Sequence, residues 1–582
     1  MNWDENYPRP LLQRDRWQSL DGDWHFAFDE DDKGEERGWI AALPGAETIR
    51  VPFSYETKAS GIGRKDQVPA VWYERSVVLE EPLAAEEEVR LHFEGSDFET
   101  SVWADGVFLG RHCGGYERFS FSFVPAGKCF RLTVRVRDSF SEEQPRGKQR
   151  YKPESWGCWY VQTTGIWKSV WLETAFRRAL TAFSAAAEKN GTVTLCGRLG
   201  AQTEDTLTLS WEISGGGKEL YGEHPLSPEA DGSFSVKTHV SEPLFWSPED
   251  PVLYTLKARL FEGGKLLDEV SSYFAFRDIV FTKEGLLICG RPHYLRMILN
   301  QGYWPESGLT PPSAAALKTD LEITERYGLN GMRLHQKTED ERLLALCDRS
   351  GMLVWNEMAA AYAYSPQGAA QFEDEWAQIV KQYQGHPSII AWVPFNESWG
   401  IPGIRNDAEQ QAFVRRIYDL TKALDPERPV ITNDGWEHAG SDLLTIHDYR
   451  SWGSELSENH GDGEKAVLSG EKSYSWYGQK LFAEGFSYEG QPLLLSEYGG
   501  IAFESEGGWG YGDSVRDEAE YLARFLSQNE AVRKLPQFIG VCYTQLTDVE
   551  QEVNGLVTAE RKDKLSPAGI EAVRASFLSL GK

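Results

Sequence analysis

The chain has 582 residues, 41% of them hydrophobic, with 60 basic and 89 acidic side chains and a formal net charge of −29. That length exceeds one ordinary core and implies several domains. The acidic balance excludes charge-driven binding to nucleic acid or to an anionic membrane. No run of 18 apolar residues is present, so no membrane-spanning helix is expected.

Seven cysteines stand at 113, 129, 158, 196, 289, 347 and 542, an odd number without paired spacing, so neither a disulfide framework nor a zinc site is expected. The chain opens Met-Asn-Trp-Asp-Glu-Asn, with no basic or apolar leader, and the cytoplasm is the expected compartment. The aromatic content, 21 Trp, 24 Tyr and 28 Phe, is ample for large cores, where most of these rings are expected, and the high Trp count also suits carbohydrate binding.

Residues 1–176 predict antiparallel β-structure. Glu88-Val-Arg-Leu-His-Phe93 and Phe130-Arg-Leu-Thr-Val-Arg-Val136 alternate apolar and polar, and turns such as Asp21-Gly22 and Asp105-Gly106 separate such runs. A jelly-roll fits. Residues 177–276 remain β, with runs such as Thr206-Leu-Thr-Leu-Ser-Trp-Glu-Ile213 between turns. This length and spacing predict an immunoglobulin-like sandwich.

From 277 to 582 the pattern changes to amphipathic stretches alternating with short apolar runs, the signature of an α/β domain. Strands are expected near 293–298, 329–334, 352–356, 388–395, 429–433, 443–448, 492–496 and 537–543, with helices over 314–327, 339–348, 372–384 and 407–424 between some of them. Eight strands over this length match a (β/α)8 barrel. Gly507-Gly-Trp-Gly-Tyr-Gly512 lacks the lysine and setting of a phosphate loop and is expected to be a mobile substrate lid.

Two stretches share one design. Ile389-Ile-Ala-Trp-Val393 runs through Pro394 and Phe395 to Asn396 and Glu397, with Trp399 after them; Pro492-Leu-Leu-Leu-Ser496 runs to Glu497 and then glycines. Each places a glutamate at the C-terminal end of an apolar strand, where a parallel barrel carries its chemistry. A glycosidase needs two such carboxyls, one to move a proton and one to attack or to activate water; their separation sets retention or inversion. An amide beside the acid bonds a sugar hydroxyl, and an indole stacks on a sugar face. His335 and His447 also sit at strand ends, each either a sugar contact or a histidine satisfied behind one. Trp399, Trp436, Trp509 and Tyr543 follow strands four, five, seven and eight, as sugar platforms or as core.

The ordered set of motifs resembles glycoside hydrolase family 2, the β-galactosidase and β-glucuronidase family, over the whole chain. The matching pieces are Leu20-Asp-Gly-Asp-Trp24, Val102-Trp-Ala-Asp-Gly106, Gly114-Gly-Tyr116 with Phe119, Thr164-Gly-Ile-Trp-Lys-Ser-Val170 and Phe276-Arg277, then Gly328-Leu-Asn-Gly-Met-Arg333, Leu346-Cys-Asp348, His386-Pro-Ser-Ile389, Asn396-Glu397-Ser398 and Ser496-Glu497-Tyr498. The resemblance implies a jelly-roll, a sandwich and a catalytic barrel with a retaining mechanism. It implies Glu397 as acid/base, Glu497 as nucleophile, Asn396 on the sugar 2-hydroxyl, Tyr449 bonded to the nucleophile, and Arg333 holding the nucleophile ionised.

Two departures bear on the substrate. After Glu357 the chain reads Met358-Ala-Ala-Ala-Tyr-Ala-Tyr364, which offers no metal ligand, so no metal and no cofactor are expected. Where β-glucuronidases carry Asn-x-Lys, this chain has Glu552-Val-Asn554, an acid that repels a uronate. The expected activity is therefore a retaining exo-β-glycosidase of the β-galactosidase type acting on a neutral glycone. β-Glucuronidase, α-L-arabinosidase, β-xylosidase and β-mannosidase activities remain as alternatives, as does a non-catalytic carbohydrate-binding protein. The expected partner is an oligosaccharide or glycoside, with no nucleic acid and no membrane, and association into a homo-oligomer stays open.

Overall fold

The structure, a computed structural model, describes residues 5–45, 47–201, 206–462, 464–470 and 478–582. In the N-terminal domain the alternating runs pair into a four-stranded and a six-stranded antiparallel sheet. Their apolar faces meet in one core, with Val71, Tyr73, Val102 and Val134 from the larger sheet and Val89, Leu91, Phe93 and Val170 from the smaller. In the second domain a three-stranded sheet covers a four-stranded one around Leu195, Leu209, Trp211, Leu256 and Leu260.

The third domain is built on a parallel sheet of seven strands. Leu295–Asn300 is central. On one side follow Gly331–Leu334, Leu353–Glu357 and Ile389–Val393; on the other follow Phe538–Thr544, Leu493–Gly499 and Leu444–His447. The expected strand at 429–433 is not a ladder member. It touches the fourth strand through isolated parallel bridges, Trp392 with Val430 and Asn396 with Asp434. On its other edge, side chains take the backbone donors that a sixth strand would receive. Val430 N donates to Asp442 Oδ2, Thr432 N to Ser441 Oγ and Gly435 N to Thr445 Oγ1, each at 2.9 Å. Polar side chains of 441–445 thus replace a main-chain ladder, which an apolar-run reading of the sequence does not register.

Inward-facing Met297, Leu299, Leu353, Trp355, Ala391 and Val393 fill the barrel. Leu286 and Ile288, from a short antiparallel sheet over 279–293, join that core and close its floor. The helices outside begin where a side chain can accept the first free amides: Ser313, Asp340, Ser365, Asp407, Asp517 and Ser566 are all N-caps. Among the described residues no helix is long and apolar enough to cross a membrane.

Candidate active site

The fourth strand delivers Glu397. Beyond Val393 the backbone enters the left-handed region at Glu397 (φ +54) and Ser398 (φ +61), uncommon for residues with a side chain and tolerated where neighbours hold it. The neighbours are on the 429–437 segment. Glu397 N donates to Asp434 O at 3.0 Å, Ser398 N to Asn433 Oδ1 at 2.9 Å, and Ser398 Oγ to Glu437 Oε2 at 2.7 Å. The bend leaves the Glu397 side chain 19% exposed at the mouth, whereas Glu497 is 5% exposed at the end of its strand.

Arg333, at the end of the second strand, joins these elements. Its guanidinium is fully buried and donates to Glu497 Oε1 (2.8 Å), to Asn396 Oδ1 (2.8 Å) and to Glu357, and lies 2.7 Å from Asp434 Oδ2. Burial alone would lower its pKa, but Asp434, Glu357 and Glu497 raise it well above the ordinary value, so it is a permanent cation. The same cation draws Asp434 far below the usual carboxylate range against the effect of burial, while Glu357, more dominated by burial, is raised.

His447 closes a second circuit. Its Nδ1 lies 2.8 Å from Glu397 Oε1 and its Nε2 lies 2.6 Å from Asp434 Oδ2 and 3.4 Å from Glu497 Oε1. Burial opposes the charged imidazole, yet Glu497, Asp434 and Glu397 raise its pKa to about 10. Glu397 responds in the opposite sense: burial pushes its carboxyl up, and the His447 hydrogen bond and charge, with Lys148 and Arg333 behind them, bring the net shift below the usual value. The two shifts together favour an imidazolium–carboxylate pair between His447 and Glu397.

Tyr449 donates its hydroxyl to Glu497 Oε2, lies 2.9 Å from Thr544 Oγ1, and stacks face to face on Tyr511. Burial and the Glu497 charge raise its pKa well above 10, so it stays a donor. Asn396 uses Oδ1 on Arg333, while its buried Nδ2 has no partner among the described residues. His335 sits behind these groups. Its Nδ1 is 2.9 Å from Glu357 Oε2, and burial followed by the Arg333 charge pulls its pKa well below the usual value, leaving it neutral.

The mouth has a wall from the N-terminal domain that sequence reasoning missed. Residues 142–160 lie across the barrel. Arg146 N and Gly147 N both donate to Ala360 O at 3.0 Å, and Tyr362 N donates to Glu142 O at 2.7 Å. Gly147 (φ +58) passes so close to the barrel that a Cβ there would stand 2.2 Å from Gln336 O. Lys148 follows it into the mouth. Tyr160 donates to Glu552 Oε2 at 2.6 Å, and Asn554 Nδ2 donates to Glu552 Oε1 at 3.1 Å.

The aromatic candidates divide. Trp399 packs edge-on against Trp159 (5.4 Å between ring centroids) and Tyr362 (5.3 Å) at the mouth. Trp436 is buried edge-on against His447. Trp509 donates its indole N–H to Gly157 O at 3.0 Å and packs on Tyr511, tying the barrel to the N-terminal wall. Tyr543 is not at the mouth: wholly buried, it packs against Phe525 and Phe577 of the surrounding helices, and its hydroxyl lies 3.0 Å from that of Tyr521. Its position in the seventh strand of the sheet points outward, since alternate residues of a strand face opposite sides.

The glycine-rich 507–512 stretch is also held rather than free. Trp509 N donates to Gln551 O, Val553 N to Trp509 O and Tyr511 N to Gly500 O, which fixes it as a wall. Glu357 and Asp434 stand at strand ends, like the glutamates, and that position was the available signal. Asn433, Tyr511, Tyr160 and Lys148 carry no local signal, because their partners are remote in the chain.

Glu397, His447 and Glu497 each offer an atom within 4.8 Å of the others, a spacing that admits a metal ion. The donor set does not fit one. Both nitrogens of His447 are already engaged with carboxylate oxygens, of Glu397 and Asp434, rather than turned toward a common ligand point.

A parallel barrel whose mouth gathers two opposed glutamates, a buried arginine and unpaired amide donors defines a glycosidase. The chain belongs to family 2 of the glycosyl hydrolases: the sugar-binding-domain description of that family matches residues 17–175, the family's second description residues 181–277, and its TIM-barrel description residues 281–575. A putative beta-glucuronidase from Formosa agariphila is 23% identical over 74% of this chain, which spans about half, 52%, of that protein's length. A beta-glucuronidase from Paenibacillus borealis is 24% identical over 85% of each chain. The structure of a beta-galacturonidase of the family from Eisenbergiella tayi bound to galacturonate superposes with a TM-score of 0.76 at 22% identity, covering 98% of each chain.

Proposed function

We propose that the protein is a retaining, exo-acting β-glycosidase whose preferred glycone is a uronic acid. The observation that carries the mechanism is the approach of the two carboxyl groups, with oxygens of Glu397 and Glu497 within 4.8 Å. Retaining glycosidases hold their carboxyls about 5–5.5 Å apart, too close for a water between them and the sugar.

In this reading Glu497 attacks the anomeric carbon and forms a glycosyl ester. Arg333 and Tyr449, both bonded to it, keep it ionised and aimed. Glu397, in its protonated form, protonates the departing oxygen and then takes a proton from the water that cleaves the ester. The unpaired Asn396 Nδ2 is left to a sugar hydroxyl. The wall from the N-terminal domain crosses one side of the mouth, which supports action at a chain end. The names of the relatives support the uronide, in place of the neutral glycone expected from the sequence.

A neutral glycone is the second reading, favoured by the buried carboxylate of Glu552, which stands within the electrostatic field of Glu497. The test is hydrolysis of p-nitrophenyl β-glucuronide, β-galacturonide, β-galactoside, β-xyloside and α-L-arabinoside under one set of conditions, with the first-formed anomer followed by NMR. Uronides cleaved fastest with net retention is the expected result. A faster galactoside would favour the second reading, and inversion would overturn the mechanism.

A further inference from the structure

The cations near the mouth can be sorted by what neutralises them. Arg333 is ringed by Glu357, Asp434 and Glu497. Arg561 is bonded to Asp320 and lies over the Trp304 ring, Lys564 is paired with Asp548, and Lys337 with Glu339 at 2.8 Å. Arg296 donates its Nε to Gly328 O, near the opposite end of the first barrel strand.

Lys148 differs from all of these. It is 7% exposed, and no carboxylate among the described residues lies within 4 Å of its ammonium. Among the described residues its ammonium donates to Cys158 Sγ at 3.4 Å, a weak acceptor. Yet it stands within the field of the site. Burial raises the Glu552 carboxyl and Lys148 opposes that rise; Lys148 also contributes to the lowering of Glu397 and, behind burial and Arg333, to that of His335. Glu552 does not claim it, because both its oxygens accept from neutral donors, Tyr160 and Asn554. Burial opposes the charge of Lys148, but Cys158, Tyr362, Glu397 and Glu552 outweigh burial and keep it an ammonium, with no carboxylate of the described residues in direct contact. Gly147 and Tyr160 hold the segment in place, with Tyr160 N donating to Lys148 O at 2.7 Å.

We propose that Lys148, supplied by the N-terminal domain, is the specificity-determining residue that pairs with the carboxylate of a β-uronide glycone. The proposal rests on the uronide reading given above. The substrate carboxylate would give Lys148 the direct ionic contact it lacks, whereas a neutral sugar presents only a hydroxymethyl group there. The charge selects the acid and does not by itself distinguish glucuronide from galacturonide.

The experiment compares kcat/KM of the full-length wild type, Lys148→Met and Lys148→Gln on p-nitrophenyl β-glucuronide and β-galacturonide against the matching β-glucoside and β-galactoside. Loss of one charge-assisted hydrogen bond lowers the uronide rates by about ten- to a hundredfold. The neutral substrates should fall much less than the uronides, so the uronide-to-neutral ratio collapses. If the wild type prefers uronides and both variants lose uronide and neutral rates alike, or lose neither, Lys148 is not the selecting group and the assignment falls while the uronide reading stands. A wild type that prefers neutral sugars overturns both. Should Lys148→Met fail to fold, Lys148→Gln, which keeps the stem and a polar tip, carries the comparison. Lys148→Arg should keep the uronide preference, and its loss there would also count against the assignment.

Discussion

His447 is held between the carboxylates of Glu397 and Asp434, 2.8 Å from one and 2.6 Å from the other. Asp434 in turn lies 2.7 Å from Arg333, which is bonded to Glu497. The two opposed glutamates are therefore ends of one charge network rather than independent side chains. Changes at its inner members should reach both.

Glu497→Gln should lower kcat by at least about 10⁴-fold on every substrate, because no glycosyl ester can form. Glu397→Ala should retain ester formation with leaving groups that need no proton, and added azide should speed its second step. Full activity of Glu397→Ala on poor leaving groups would remove Glu397 from the acid/base role.

Arg333→Met should destabilise the barrel by about 3–5 kcal/mol, since it removes the guanidinium that bonds three buried carboxylates and leaves Glu357 without its cation. Arg333→Lys keeps a charge without the fork that reaches Glu357, Asp434 and Glu497 together, and should recover only part of the loss. Denaturant unfolding of the three proteins checks this ranking. A wild-type midpoint in Arg333→Met would contradict it.

The raised pKa of His447, about 10, sets a pH window for stability. A folded-state pKa above the unfolded one stabilises fully below the unfolded value, about 6.5, and that stabilisation is lost as pH rises toward the folded value. Stability should thus fall between pH 6.5 and about 10, with this group contributing at most about 1.4 kcal/mol per pH unit. His447→Gln should be less stable at pH 6.5 and should show a flatter decline. Parallel slopes in urea unfolding would assign the dependence elsewhere.

Exhaustive chelation should leave activity unchanged, because the imidazole that a metal would need is engaged at both nitrogens. A loss of rate restored by a divalent cation would show that His447 releases a carboxylate to bind it.

Much was decided by the order of residues alone. Continuous apolar runs such as Ile389–Val393, covered on both faces, specify parallel strands, and a glutamate at the end of such a strand has only the mouth to face. Alternating runs specified the two antiparallel sandwiches for the same local reason. Tyr543 and the 429–433 run show where that reasoning stops. Which face of a strand a tyrosine takes, and whether a strand's donors meet main chain or side chain, depends on neighbours supplied from elsewhere in the fold. The charge state of Glu397 and His447 likewise exists only where buried groups meet, because burial raises the energy of each charge and a partner within hydrogen-bond reach restores it. Lys148 is the extreme case. Nothing in its own segment marks it, and it enters the mouth only because Gly147 lets one domain lie against another, about 190 residues away in the chain at Gln336.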